Sequence, residues 1–99
     1  MPGPCPWYVS AAAVRKYQQL VPAAPRDFDD ASDELIERAA QCWARYQENP
    51  DLAPAITRTG AYTYREAGSD RGGRRRLRFV VAMGARAEGA KPQVVDVVF

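Results

Sequence analysis

The side chains able to do chemistry in this chain are few, and their spacing narrows them further. Histidine is absent, which removes the usual general base near neutral pH and the commonest metal ligand. The carboxylates Asp27, Asp29, Asp30 and Asp33 crowd one stretch. Their spacing does not match a calcium loop, and they stand where the start of a helix recruits acids. No metal and no cofactor is expected. Gly72-Gly73 is followed by three arginines and a strand pattern, not by the helix start that a phosphate-cradling loop requires. Cys42 falls on an apolar helical stripe and reads as a small core residue. Cys5 sits in the opening segment with no base near it in sequence. No catalytic residue is assigned on these grounds.

What remains is a cationic and aromatic constellation in the second half. Arg76 and Arg78 alternate with Leu77 and Phe79, so if the apolar pair faces a core the arginines face away from it. One strand earlier, Tyr62 and Tyr64 alternate with Thr63 and Arg65. Either the tyrosines or Arg65 joins the outward arginines, depending on whether the strand bulges at Gly60. With Arg58, Arg71, Arg74 and Arg75 nearby, this is the composition a single-stranded nucleic-acid surface would need. Rings stack on unpaired bases while guanidinium groups grip phosphates. The competing reading is an arginine-rich hairpin end that stays soluble, with tyrosines chosen for β-propensity.

The elements that must position these residues follow from periodicity. Residues 1–6 form a Pro/Gly-rich leader and 7–99 a single domain. Trp7-Tyr8-Val9 reads as a short strand. Ser10 caps a helix whose apolar stripe is Ala13, Val14, Tyr17, Leu20 and Val21, stopped by Pro22. A second helix begins at Asp27 or Asp29, carries Phe28, Ala31, Leu35, Ala39, Cys42 and Tyr46 at steps of three and four, widened by Ile36, Ala40 and Trp43, and ends at Asn49-Pro50. Glu34 and Arg38 form an i,i+4 pair on its polar face. From residue 55 the period changes to two. Ile56 through Ala67 reads as one strand bent at Gly60, Gly68–Gly73 as a hairpin loop, and Arg76 through Ala85 as a strand. Gly84–Pro92 is a connector and Val94–Phe99 a final strand. The order β-α-α-β-β-β specifies an α+β two-layer sandwich, with two helices on one face of an antiparallel meander.

Length and composition set the outer limits. Ninety-nine residues, 46% hydrophobic and 26% charged, make one modest core. No apolar run approaches the roughly 20 residues of a membrane helix. The opening residues lack the basic-then-apolar pattern of a secretory signal, and two cysteines make no disulfide scaffold. A cytoplasmic protein without membrane contact is expected. Residues 1–54 hold five basic against eight acidic residues, and residues 55–99 hold nine against four. That asymmetry can mark an anionic partner. Ala, Arg, Gly and Pro make 44 of the 99 residues, however, and all have GC-rich codons, so overall basicity decides nothing.

A short strand, two helices and a three-stranded meander is similar to the element order of the RelE/ParE-like bacterial toxins. Arg75-Arg76-Leu77-Arg78-Phe79-Val80-Val81 followed by Val94-Val95-Asp96-Val97-Val98 resembles the last two strands of that fold. The resemblance covers residues 7–99 as an order of elements. It implies an RNA-directed protein without a required metal, some members cutting messenger RNA with Arg, Lys and Tyr side chains. The positions it would put to work are Arg58, Tyr62, Tyr64, Arg65 and Arg78. The chain departs from the family pattern in its acidic long helix and in lacking a basic C-terminal tail.

The last strand points elsewhere. Val95, Val97 and Phe99 fit the inner face, which leaves Val94 and Val98 on the outer face beside Val80 and Ala82. A wet sheet face is ordinarily polar, so these four mark an interface, and self-association by strand pairing or sheet stacking is expected. The first expectation is therefore a non-catalytic binding or interaction module, homodimeric. The alternatives are RNA binding or RNA cleavage through Arg76, Arg78, Tyr62 and Tyr64, and a small-molecule pocket between helix and sheet lined by Trp43, Tyr46 and Phe79.

Overall fold

The computed structural model describes residues 7–67, 76–82 and 92–99. The expectations for the leader 1–6 with Cys5, for the loop region with Arg71, Arg74 and Arg75, and for the connector between Met83 and Lys91 lie outside those residues. The chain runs β1 (Tyr8–Val9), α1 (Ala11–Leu20), α2 (Phe28–Glu48), β2 (Ala55–Ile56), β3 (Tyr62–Arg65), β4 (Arg78–Ala82) and β5 (Gln93–Val98). It is an α+β two-layer sandwich with both helices on one face of a five-stranded sheet of order β1-β5-β4-β3-β2. The β1–β5 pair is parallel, and every other pair is antiparallel.

Each helix starts where a side chain can satisfy its orphan amides. The Ser10 hydroxyl accepts from the Ala13 N–H at 3.1 Å. The Asp27 carboxylate accepts from the Asp29 N–H at 2.8 Å and the Asp30 N–H at 3.3 Å. Asp27 is thus the cap, and Asp29 and Asp30 lie in the first turn beside the positive end of the dipole. Asn49 closes α2, its side-chain amide donating to the Arg45 carbonyl at 3.0 Å. Between the helices, the Gln18 amide donates to the carbonyls of Pro25 and Arg26, tying the connector down.

The core lies between the helices and the sheet. Val14 and Tyr17 of α1, Leu35 and Ala39 of α2, and Leu77, Phe79, Val81 and Val97 are each almost fully shielded from water. α1 rests on β5 and α2, while α2 reaches β1 and β3. The apolar stripe of α2 is narrower than its periodicity suggests: Phe28 is 40% exposed and Ile36 41% exposed.

Two expectations about the strands are corrected. The stretch 56–67 is not one bent strand but a hairpin of β2 and β3. The Thr57 N–H donates to the Ala61 carbonyl at 2.8 Å and the Gly60 N–H to the Thr57 carbonyl at 3.1 Å. Gly60 closes the turn at φ +84°, a conformation that costs glycine nothing because it has no Cβ. The second correction concerns phase. β5 pairs Asp96 with Val80 and Val94 with Val81, which leaves Val95 as an extra residue in a bulge. A bulge resets the alternation, so Val94 turns inward and is fully buried while Val95 turns outward, 38% exposed. Val94 therefore leaves the outer-face set, whose remaining members Val80, Ala82 and Val98 are partly exposed.

Candidate functional site

The hairpin register decides which chemical side chains can meet. Tyr62 pairs with Val81 and Tyr64 with Phe79, both inward residues of β4, so the tyrosines face the helices. Thr63 pairs with Val80 and Arg65 with Arg78, which puts both arginines on the outer face. The anticipated surface of arginine interleaved with tyrosine is split by the sheet itself. Arg58 lies exposed in the β2–β3 turn and Arg76 exposed at the entry to β4.

On the inner face the aromatic rings fill one another's space. Trp7, immediately before β1 and 5% exposed, stands at the centre. Its ring centroid is 4.5 Å from Tyr64, 5.7 Å from Trp43 and 6.4 Å from Phe79. Tyr46 meets Tyr64 edge-on at 4.9 Å, the geometry favoured by the ring quadrupoles. Trp7 and Tyr64 thus pack among Trp43, Tyr46 and Phe79, the residues expected to line a helix–sheet pocket. Burial, with smaller contributions from Tyr62, Cys42 and Tyr46, pushes the Tyr64 hydroxyl above the usual phenol range, so it stays protonated at neutral pH.

Beside this cluster lies a charged network that local spacing did not reveal. Arg38 donates to Glu66 through Nε at 3.0 Å and through Nη2 at 2.7 Å, a two-pronged grip. Its Nη1 donates to the Tyr17 hydroxyl at 3.2 Å. Glu66 Oε1 also accepts from the Leu77 N–H at 2.8 Å. One carboxylate thereby ties α2 to the β3–β4 hairpin, and Arg38 is not held by Glu34 as the helical spacing suggested. Desolvation opposes the Arg38 charge, but Glu66 and Tyr17 outweigh it and hold its pKa above the ordinary value. Burial raises the Tyr17 hydroxyl, with Arg38 pulling the other way. Both phenols are hydrogen-bonding and packing groups at neutral pH, not bases.

α2 also seals the open edge of β3, because β2 covers only Tyr62 and Thr63. At Arg65 the backbone N–H donates to the Tyr46 hydroxyl at 3.2 Å. The Arg65 carbonyl accepts from Arg45 Nη1 at 3.1 Å and from the Cys42 thiol at 3.4 Å. Cys42 is buried and serves as a packing residue and weak donor. The Arg65 main chain is held at both polar atoms while its guanidinium stays exposed.

The outer face is the more informative surface. Arg65 and Arg78 stand directly opposite each other, an arrangement that costs stability unless an anion is near. Among the described residues, Glu66 is committed to Arg38, and Asp96, opposite Val80 on this face, pairs with Lys16 at 2.7 Å and accepts from the Val97 N–H. Arg78 donates to the main-chain oxygen of Phe99, the last residue of the sequence, at 2.6 Å. Next to the arginines, Val80, Ala82, Val95 and Val98 are partly exposed, with Asp96 and Thr63 opposite Val80 and Gln93 opposite Ala82. Among the described residues, no group of three or more His, Cys, Asp or Glu side chains could hold a metal ion. No described helix is long and apolar enough to cross a membrane. No family model, curated protein or solved structure matches the chain.

Proposed function

We propose that this protein is a binding module that self-associates through the outer face of its sheet, and that it acts without catalysis. The observation that supports this reading is the partial exposure of four apolar residues, Val80, Ala82, Val95 and Val98, on the face opposite both helices. An antiparallel sheet facing solvent is ordinarily polar there, and an apolar patch in that position usually marks an interface. Sedimentation from about 10 µM to about 500 µM, a range that spans weak protein contacts, tests it. The expected result is a weight-average mass that rises with concentration, with Val80→Lys suppressing the rise. A monomer throughout the range overturns the reading.

A second reading rests on the Arg65–Arg78 pair, two guanidinium-bearing residues directly opposite each other on the outer face. Phosphates of RNA would suit it, gripped by guanidinium groups without base stacking, since the tyrosines lie on the other face. RNA retention that falls with salt and is lost in Arg65→Ala/Arg78→Ala supports it. No retention at low salt ends it.

A further inference from the structure

We infer that Lys16 and Asp96 form a guard on the open edge of β5, and that without it two copies of the chain join their sheets through that edge, antiparallel about Val97. The inference does not depend on the outer face serving as an interface. β5 has six residues, and β1 pairs with only Gln93 and Val94 of them. The Ser10 N–H donates to the Val94 carbonyl at 3.0 Å, and the chain then turns away into α1. Past that point no described strand lies beside β5 on the side away from β4. Main-chain direction follows from the neighbouring hairpin. The Glu66 N–H donates to the Leu77 carbonyl at 3.0 Å, and in an antiparallel ladder the hydrogen-bonding side alternates along a strand. Leu77 and Phe79 therefore turn their main-chain groups toward β3, and Arg78 and Val80 turn theirs toward β5. Val97, opposite Phe79, consequently points its N–H and its carbonyl at the open edge.

Asp96 occupies that N–H. One carboxylate oxygen, Oδ1, accepts from the Val97 N–H at 2.9 Å and meets the Lys16 ammonium at 2.7 Å. Asp96 lies on the outer face opposite Val80, whereas Lys16 belongs to α1 in the inner layer. β4 fills the other flank of β5, so the two side chains meet around the open edge. An added strand would lie about 4.8 Å from β5, in the space these side chains occupy. Strength does not explain the pair. The two side chains are 38% and 41% exposed, and an ion pair so open to water adds little stability. Its position makes it a guard, the use to which sheet edges ordinarily put charged side chains, lysine above all. The opposite edge strand, β2, has only two residues, and an edge that short is its own protection. A second copy is the occupant that the outward groups select. The N–H and carbonyl of one residue face outward together, so a two-fold axis at Val97 lets two copies exchange both hydrogen bonds, and the contact is closed.

Amide exchange and sedimentation of the parent chain and of Asp96→Ala test the guard. At low concentration the Val97 amide of Asp96→Ala is expected to exchange at least about tenfold faster than in the parent. The Val98 amide, directed at β4, should keep its rate. From about 10 µM to about 500 µM, Asp96→Ala is expected to dimerise at least about tenfold more tightly than the parent and to stop at two. Protection of its Val97 amide should rise over the same range. Association through the outer face leaves that amide untouched, so the two contacts are read separately, and a monomeric parent removes only the face reading. Unchanged Val97 exchange, no gain in association, or a gain without protection at Val97 overturns the proposal. Should Asp96→Ala fail to fold, as judged by circular dichroism, Lys16→Ala carries the same test. It leaves the carboxylate in place but unanchored, so the same changes are expected at smaller size, and their absence also overturns the proposal.

Discussion

The two faces of the sheet are built from similar residues and treat them in opposite ways. Toward the helices, Leu77, Phe79 and Val81 are sealed from water, and the charge that approaches them, Arg38, is met by Glu66 from two directions. Away from the helices, Val80, Ala82 and Val98 stay partly exposed, Arg65 faces Arg78, and Asp96 opposite Val80 is paired with Lys16. Valine and arginine occur on both sides, so residue type does not separate a core from a contact surface. Pairing differs: on the inner side Arg38 and Glu66 hold each other, while on the outer side two arginines stand directly opposite.

The sharpest test of that contrast compares neighbours in β4. Phe79→Ala is expected to cost about 3–5 kcal/mol, the usual loss for an emptied aromatic site. Val80→Thr, one residue along, should cost about 0.5 kcal/mol or less, as for an ordinary surface change. Urea midpoints of the two variants measure the difference, and similar losses would mean that the outer face is covered after all. A smaller effect is expected at the charged network. Glu66→Gln keeps an acceptor for the Leu77 N–H but leaves Arg38 without a counter-charge. Since both side chains keep some contact with water, the expected loss is about 1–3 kcal/mol. The double-mutant cycle with Arg38→Gln should show coupling, because the two groups touch. The smallest effect has the opposite sign. Arg65→Thr relieves a like-charge cross-strand pair and should stabilise the isolated chain by a few tenths of a kcal/mol. A loss of stability there would show that the arginine is already compensated.

Much of the frame was readable before the structure because local rules acted alone. Ser10 and Asp27 cap helices through their own side chains, and the period of two in Leu77, Phe79 and Val81 marks an inner face. What escaped was decided by a single residue or by distant partners. Thr57-Arg58-Thr59-Gly60 sits between β-forming residues, so the alternation in the sequence runs straight through; only the positive φ at Gly60 turns it into a hairpin. Val94 and Val95 are chemically identical, and nothing in either announces that the strand slips by one between them. Arg38 had a ready partner one turn away at Glu34, while the true one lies 28 residues on. For the candidate surface, composition indicated arginines and valines, but the face on which Tyr62 and Tyr64 lie depended on the register of the hairpin.

The grip of α2 on Arg65 also bears on misassembly. Tyr46, Arg45 and Cys42 occupy the backbone positions through which a foreign strand would lengthen the sheet beyond Thr63. Among the described residues, an intruding chain finds on this side the two residues of β2 to pair with, too short a template for ordered growth. Fibril formation from this side therefore has to wait until the C-terminal half of the long helix peels away, which ties resistance to aggregation to how often that helix frays.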